Sequence, residues 1–93
     1  MKQSLKIQIF GQIPHQDFSK FVQKNAQKLG IEGTIQNLND QTILIQATGI
    51  SQHLDELIDS FYKNNVKAKI TDIEVEPLIQ ERDFRGVFRI IGE

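Results

Sequence analysis

Three parts of the chain carry side chains that could do chemistry. The stretch Gly11-Gln12-Ile13-Pro14-His15-Gln16-Asp17-Phe18-Ser19 brings a glycine, a histidine, a carboxylate and a hydroxyl together. Asn37 stands just before Asn39-Asp40, and the arginines, Arg82, Arg85 and Arg89, all fall in the last segment. Ser19 lacks the accompanying His/Asp pattern that a nucleophilic serine needs, so covalent catalysis through it is not expected. His15 and His53 share no metal-ligand spacing, and the chain has no cysteine, which excludes disulfides, thiolate zinc sites and cysteine nucleophiles. Neither a metal nor a cofactor is therefore expected. Asp17 reads first as a helix N-cap, its carboxylate accepting from the free amides of a first turn. Asn37 admits two readings, an amide that orients a reacting water or ordinary punctuation before a turn.

Those residues need elements to hold them. Leu5-Lys6-Ile7-Gln8-Ile9-Phe10 alternates as a half-buried strand does, with Gly11 breaking it and Gln12 to Asp17 forming a loop. Phe18, Phe21, Val22, Ala26 and Leu29 then recur at helical spacing, and Gly30 follows where a C′ glycine would stand. Thr34 to Leu38 and Thr42 to Ala47 read as a hairpin around Asn39-Asp40-Gln41. Ser51 can cap a second helix bearing Leu54, Leu57, Ile58 and Phe61, which Asn64-Asn65 ends. Val66, Ala68 and Ile70 alternate, as do Ile73 and Val75, but out of phase, so a bulge or a bend is expected at Thr71-Asp72. Val87-Phe88-Arg89-Ile90-Ile91 is the last strand; with Phe88 inward, Arg85, Val87 and Arg89 face out. The order β-α-β-β-α-β with a closing strand predicts a ferredoxin-like α/β sandwich, two helices on one face of an antiparallel sheet.

At 93 residues the chain is expected to be a single domain, residues 1–93. Its 39% hydrophobic and 25% charged content suits a packed core. A formal net charge of −1 argues against nucleic acid as a partner. Arg85-Gly86-Val87-Phe88 resembles an RNA-recognition strand, but it lies at the end of the chain, its aromatic pattern is incomplete, and Glu81 and Asp83 dilute its charge. No apolar run is long enough to span a membrane, and no apolar segment follows Met1 and Lys2 as in a signal peptide. A cytoplasmic protein is the expectation.

Several ordered fragments resemble the acylphosphatase family. Gly33-Thr34-Ile35-Gln36-Asn37 is similar to Gly-x-Val-x-Asn, and Asp40-Gln41-Thr42-Ile43-Leu44-Ile45 to Asp-Gly-x-Val-x-Ile with Gln41 replacing glycine. Ala47-Thr48-Gly49 matches Ala-x-Gly, Ala68-Lys69-Ile70 with Ile73 resembles Ala-x-Val-x-x-Val, and Phe88-Arg89-Ile90 resembles Phe-x-Ile. The family's first loop, Gly-x-Val-Gln-Gly-Val-x-Phe-Arg, corresponds to Gly11 through Ser19, keeping Gly11 and Phe18 and replacing valine by Ile13. The resemblance implies hydrolysis of acyl phosphates without a metal. Gly11, Gln12, Ile13, His15, Gln16, Asp17 and Phe18 would then correspond to the phosphate-binding loop. Asn37 would take the water-positioning place, and Ser19 the place of the arginine.

The departures all weaken such chemistry. Phosphoryl transfer is driven mainly by positioning and by charge opposite the equatorial oxygens. A serine hydroxyl does not replace a forked, permanently charged guanidinium, and losing a comparable clamp elsewhere costs on the order of 10³–10⁵ in rate. Pro14 has no N–H to offer, His15 adds bulk, and an ionised Asp17 repels an anion. Lys20 is adjacent to Ser19 but roughly 100° away around a helix. Weak or lost turnover of an acyl phosphate is the expectation, with a non-catalytic binding or scaffold domain as the alternative; inorganic phosphate is the other candidate ligand, and no protein partner is suggested.

Overall fold

In a computed structural model the described residues are 2–64, 66–78 and 84–92. They form β1 (Lys2–Gln12), α1 (His15–Lys28), β2 (Glu32–Asn39), β3 (Thr42–Ile50), α2 (Ser51–Tyr62), β4 (Lys69–Pro77) and β5 (Phe88–Ile91). The sheet order is β4-β1-β3-β2-β5. β1 runs antiparallel to β3 and β4, and β2 antiparallel to β3, which is the expected sandwich. β5 adds beside β2 in parallel, Gly33 to Gln36 opposite Phe88 to Ile91, so the full sheet is mixed.

Strand alternation decides which face meets the helices. Ile7 and Ile9 of β1, Ile35 of β2, and Ile43, Ile45 and Ala47 of β3 are fully buried on one face. Cross-strand pairs Ile7↔Ile45, Ile9↔Ile43 and Ile35↔Ile45 make that face continuous. Phe18, Val22 and Ala26 of α1 and Leu54, Leu57 and Phe61 of α2 complete the same core. The rings of Phe18 and Phe61 lie 5.9 Å apart at 56°, joining the helices above the sheet. α1 ends as its sequence predicts: the Gly30 N–H donates to the Gln27 carbonyl (3.2 Å) and the Ile31 N–H to that of Ala26 (2.9 Å), the paired bonds of a Schellman motif. The Gln23 side-chain amide donates to the Phe88 carbonyl at 2.9 Å and ties α1 to the parallel edge strand.

Element starts are where expectation and structure part. β1 does not stop at Gly11 but continues to Gln12. The phase change in β4 is a bulge at Thr71, for Phe10 faces Asp72 while Gly11 faces Ile70. α1 begins at His15 with Pro14 in the N-cap position and no side-chain cap. Asp17 is therefore not the cap; it sits within the first turn, because a proline whose φ is already −72° lets the helix start earlier. His15 and Gln16, expected in a loop, are helical for the same reason. Ser51 likewise does not cap α2 but is its first residue, after Ile50. Val66 and Ala68 precede β4 instead of extending it, and Asn65 lies outside the described residues.

Phe18 makes the most direct test of this packing. Phe18→Ala is expected to cost about 3–5 kcal/mol through lost transfer energy and a residual cavity, read as a lower midpoint in urea unfolding. Phe21→Ala, at a half-buried position, should cost clearly less.

Candidate functional site

The β1–α1 connection is only Ile13 and Pro14. Gly11 lies at the end of β1 with φ +146°, and a Cβ there would collide with the Lys69 carbonyl oxygen of β4. The glycine is thus required by the close approach of two strands at the bulge. Its N–H donates 3.0 Å across to the Gln41 carbonyl, fastening the end of β1 to the β2–β3 turn. Gly33 has the corresponding constraint on β2, where a Cβ would meet the Gln46 carbonyl oxygen. Thr71, the extra residue of the bulge, donates its hydroxyl to the Phe10 carbonyl at 3.1 Å.

Around Ile13 and Pro14 an open cleft forms in two contiguous halves. One, about 490 Å³, is lined by Ile13, Pro14, His15, Gln16, Asp17 and Asp40. The other, about 570 Å³, shares Ile13, Pro14, Asp17 and Asp40 and adds Gln12, Gln41, Val66 and Lys67. The first intrahelical bond of α1 runs from the Phe18 N–H to the Pro14 carbonyl at 2.9 Å. The amides of His15, Gln16 and Asp17 therefore have no carbonyl within the helix to bond, and the helix dipole adds partial positive charge there. Two carboxylates, Asp17 and Asp40, stand in the same cleft and oppose an anion. Of the expected loop residues, Gln12, Ile13, His15, Gln16 and Asp17 reach this cleft. Phe18 does not, being core with no exposed surface, and Gly11 instead lines a cavity of about 400 Å³ with Phe10, Thr42, Lys69 and Thr71.

Ser19 and Asn37 are withdrawn from the cleft walls. Ser19 is 1% exposed, on the inner arc of α1 with Phe18 and Val22. His15 lies one turn before it on the same side of the helix, and its Nε2 is 3.3 Å from the Asp40 carbonyl oxygen. The imidazole thus spans the gap between the first turn of α1 and the β2–β3 turn. Asn37, three residues before Asp40 on β2, buries its side-chain Oδ1 with no hydrogen-bond partner among the described residues. Asn39 has the turn role instead, its Oδ1 accepting from the Gln41 N–H at 2.9 Å.

The cations divide by end of the sheet. Arg85 and Arg89 line a separate cavity with Gly33, Thr34 and Phe84, at the start of β2 rather than beyond its end. Arg85, Val87 and Arg89 are exposed, as expected from Phe88 being buried, while Arg82 lies outside the described residues. Lys20 is exposed on α1 and is not among the cleft residues. Lys67 is, and its position had no signal in periodicity or motif. Among the described residues no group of His, Cys, Asp and Glu could hold a metal ion, and no helix is long and apolar enough to cross a membrane.

A family model described as Acylphosphatase matches residues 5–90. The chain belongs to the acylphosphatase family. An acylphosphatase of Clostridium acetobutylicum is 30% identical over 91 residues, covering 98% of this chain and 99% of the relative. The crystal structure of acylphosphatase from Bacillus subtilis superposes with a TM-score of 0.87 at 25% identity, covering 99% of this chain and all of that one. Full-length HypF in its phosphate- and nucleotide-bound form matches with a TM-score of 0.87 and 26% identity over 99% of this chain but 12% of its own.

In this acylphosphatase-family chain the burial of Ser19 changes what restoring an arginine should do. Ser19→Arg alone is expected to overpack the inner arc of α1 and bury a charge, costing about 1–3 kcal/mol, with no gain in phosphate affinity. Combined with His15→Ala, which clears the adjacent side chain, it should recover part of the lost stability and bind phosphate more tightly than either single variant. Thermal unfolding and phosphate titration of the three variants check this.

Proposed function

We propose that this chain hydrolyses the carboxyl–phosphate bond of acyl phosphates slowly, with Asn37 positioning the water and no arginine at the family's clamp position. In the reaction the water oxygen bonds to phosphorus and the bond from phosphorus to the acyl oxygen breaks. The acyl group leaves as carboxylate, and the water protons pass to the phosphate and solvent. Most of the barrier lowering in such a step comes from orientation and from charge opposite the phosphoryl oxygens.

The observation that carries this reading is the buried, unpartnered Oδ1 of Asn37. Leaving a buried acceptor unmade costs about 1–3 kcal/mol, and the turn next to it obtains its side-chain bond from Asn39. The ordinary structural account of Asn37 is thereby taken by another residue, whereas an uncommitted amide oxygen is what orientation of a water requires. The slowness follows from Ser19, which supplies no charge, from Pro14, which supplies no N–H, and from Asp17 and Asp40, which repel an anion in the cleft.

A second reading is a non-catalytic binding or scaffold domain, and the His15–Asp40 contact across the gap favours it. Phosphate release from acetyl phosphate at high protein concentration separates the two. The expected result is slow release above the uncatalysed background, returned to background by Asn37→Ala with thermal stability unchanged or raised. Wild-type release equal to background would discard the hydrolytic reading in favour of the second.

A further inference from the structure

The helices cover one face of the sheet, and the side chains alternating with Ile7, Ile35 and Ile45 form the other. On that open face the strand registers join into rows that cross the whole sheet. One row runs Glu76, Lys6, Gln46, Thr34, Arg89, from edge strand β4 to edge strand β5. The next runs Glu74, Gln8, Leu44, Gln36, Ile91. Glu74, Glu76, Arg89 and Ile91 are exposed, Ile91 by 40%. β3 is the middle strand, so the acidic edge and Arg89 stand two strands out on opposite sides of it. That is about 9.6 Å each way. Arg89 forms no ion pair among the described residues, and Glu74 has only the neutral Gln8 opposite it.

We propose that this open face pairs with the same face of a second copy of the chain, about a two-fold axis lying along β3. Such a rotation reverses the strand order and leaves position along the strands unchanged, so β5 of one copy lies over β4 of the other. Arg89 then comes over Glu76 of the second copy, and the symmetry makes the contact twice. Leu44, on the axis, meets its own counterpart. Sheets stacked about 10 Å apart leave a gap that an arginine and a glutamate bridge together. The usual angle of about −30° between packed sheets shifts the edges by roughly one or two residues, which brings Glu74 within reach of the same guanidinium. A two-fold axis across the strands instead lays the acidic β4 on itself, and like charge opposes it. Five strands offer about 600 Å² per chain, under the roughly 800 Å² of a standard interface. The dimer is accordingly weak and sensitive to salt. Asn37 shares the helix-covered face with Ile43, so the pairing is independent of the hydrolytic reading.

Sedimentation velocity of the full chain between about 1 μM and 1 mM tests this. The wild type is expected to pass from monomer to dimer over that range, with added salt weakening the dimer. Arg89→Glu and Glu76→Arg should each weaken self-association about 10- to 100-fold, because each homodimer then sets like charges together twice. An equimolar mixture of the two variants should dimerise again, since both contacts in the mixed dimer join opposite charges. Circular dichroism of each variant checks that it folds. A wild type that stays monomeric at 1 mM, or whose dimer is indifferent to salt, overturns the inference without any variant. Dimerisation unchanged in both variants overturns it by placing the contact on another face. Loss in each variant without rescue in the mixture overturns it as well, because the two charges then do not face one another.

Discussion

The helical phase of α1, set by Phe18 in the core, is the constraint on which the site depends. Phe18 has no exposed surface and packs on Phe61 of the other helix. With that residue inside, a rotation of roughly 100° per position leaves no freedom for its neighbours. Ser19 and Val22 share the buried arc, Asp17 and Lys20 are exposed, and His15, one turn before Ser19, meets the β2–β3 turn. Turning Ser19 outward would pull Phe18 from the core, which no phosphate contact of ordinary strength would offset. The loss of charge at this position is therefore a matter of residue type, since the family's loop carries its arginine directly after the same phenylalanine.

Three connections meet at one end of the sheet. The end of β1 is fastened to the β2–β3 turn by the bond from Gly11 to Gln41, and it lies against β4 so closely that Gly11 tolerates no side chain. The α2–β4 segment, braced by Asn64, completes the wall. The arginines described on the closing segment belong to the other end, because β5 runs parallel to β2 and Arg89 faces Thr34 near its start. Charge that composition alone would distribute anywhere is in this way kept from the cleft by strand direction.

Family membership and active chemistry are separable here. The acylphosphatase scaffold is a matter of alternating strands, two apolar helical stripes and a few tight approaches, all of which this chain has. Chemistry needs in addition a charge and an aligned amide at one place. The amide oxygen of Asn37 is buried and uncommitted, whereas Ser19 offers only a buried hydroxyl.

By itself the sequence determined the elements, their order, the family register and an irregularity at Thr71, since the apolar residues around it change phase there; pairing with β1 made it a bulge. Such signals are local: the period of two or 3.6 is written in neighbouring residues and needs no partner to be read. Gly30 was legible for the same reason, because a helix end is satisfied by its own last turn. Only the tertiary structure decided that Pro14 starts α1 early and displaces Asp17 from the cap, that β5 joins in parallel, and that Asn39 relieves Asn37 of the turn. It alone brings Ile13, Asp40 and Lys67 to one cleft. Those three residues lie on different connections, and their proximity follows from sheet order and from hydrogen bonds between segments, which no periodicity along the chain records.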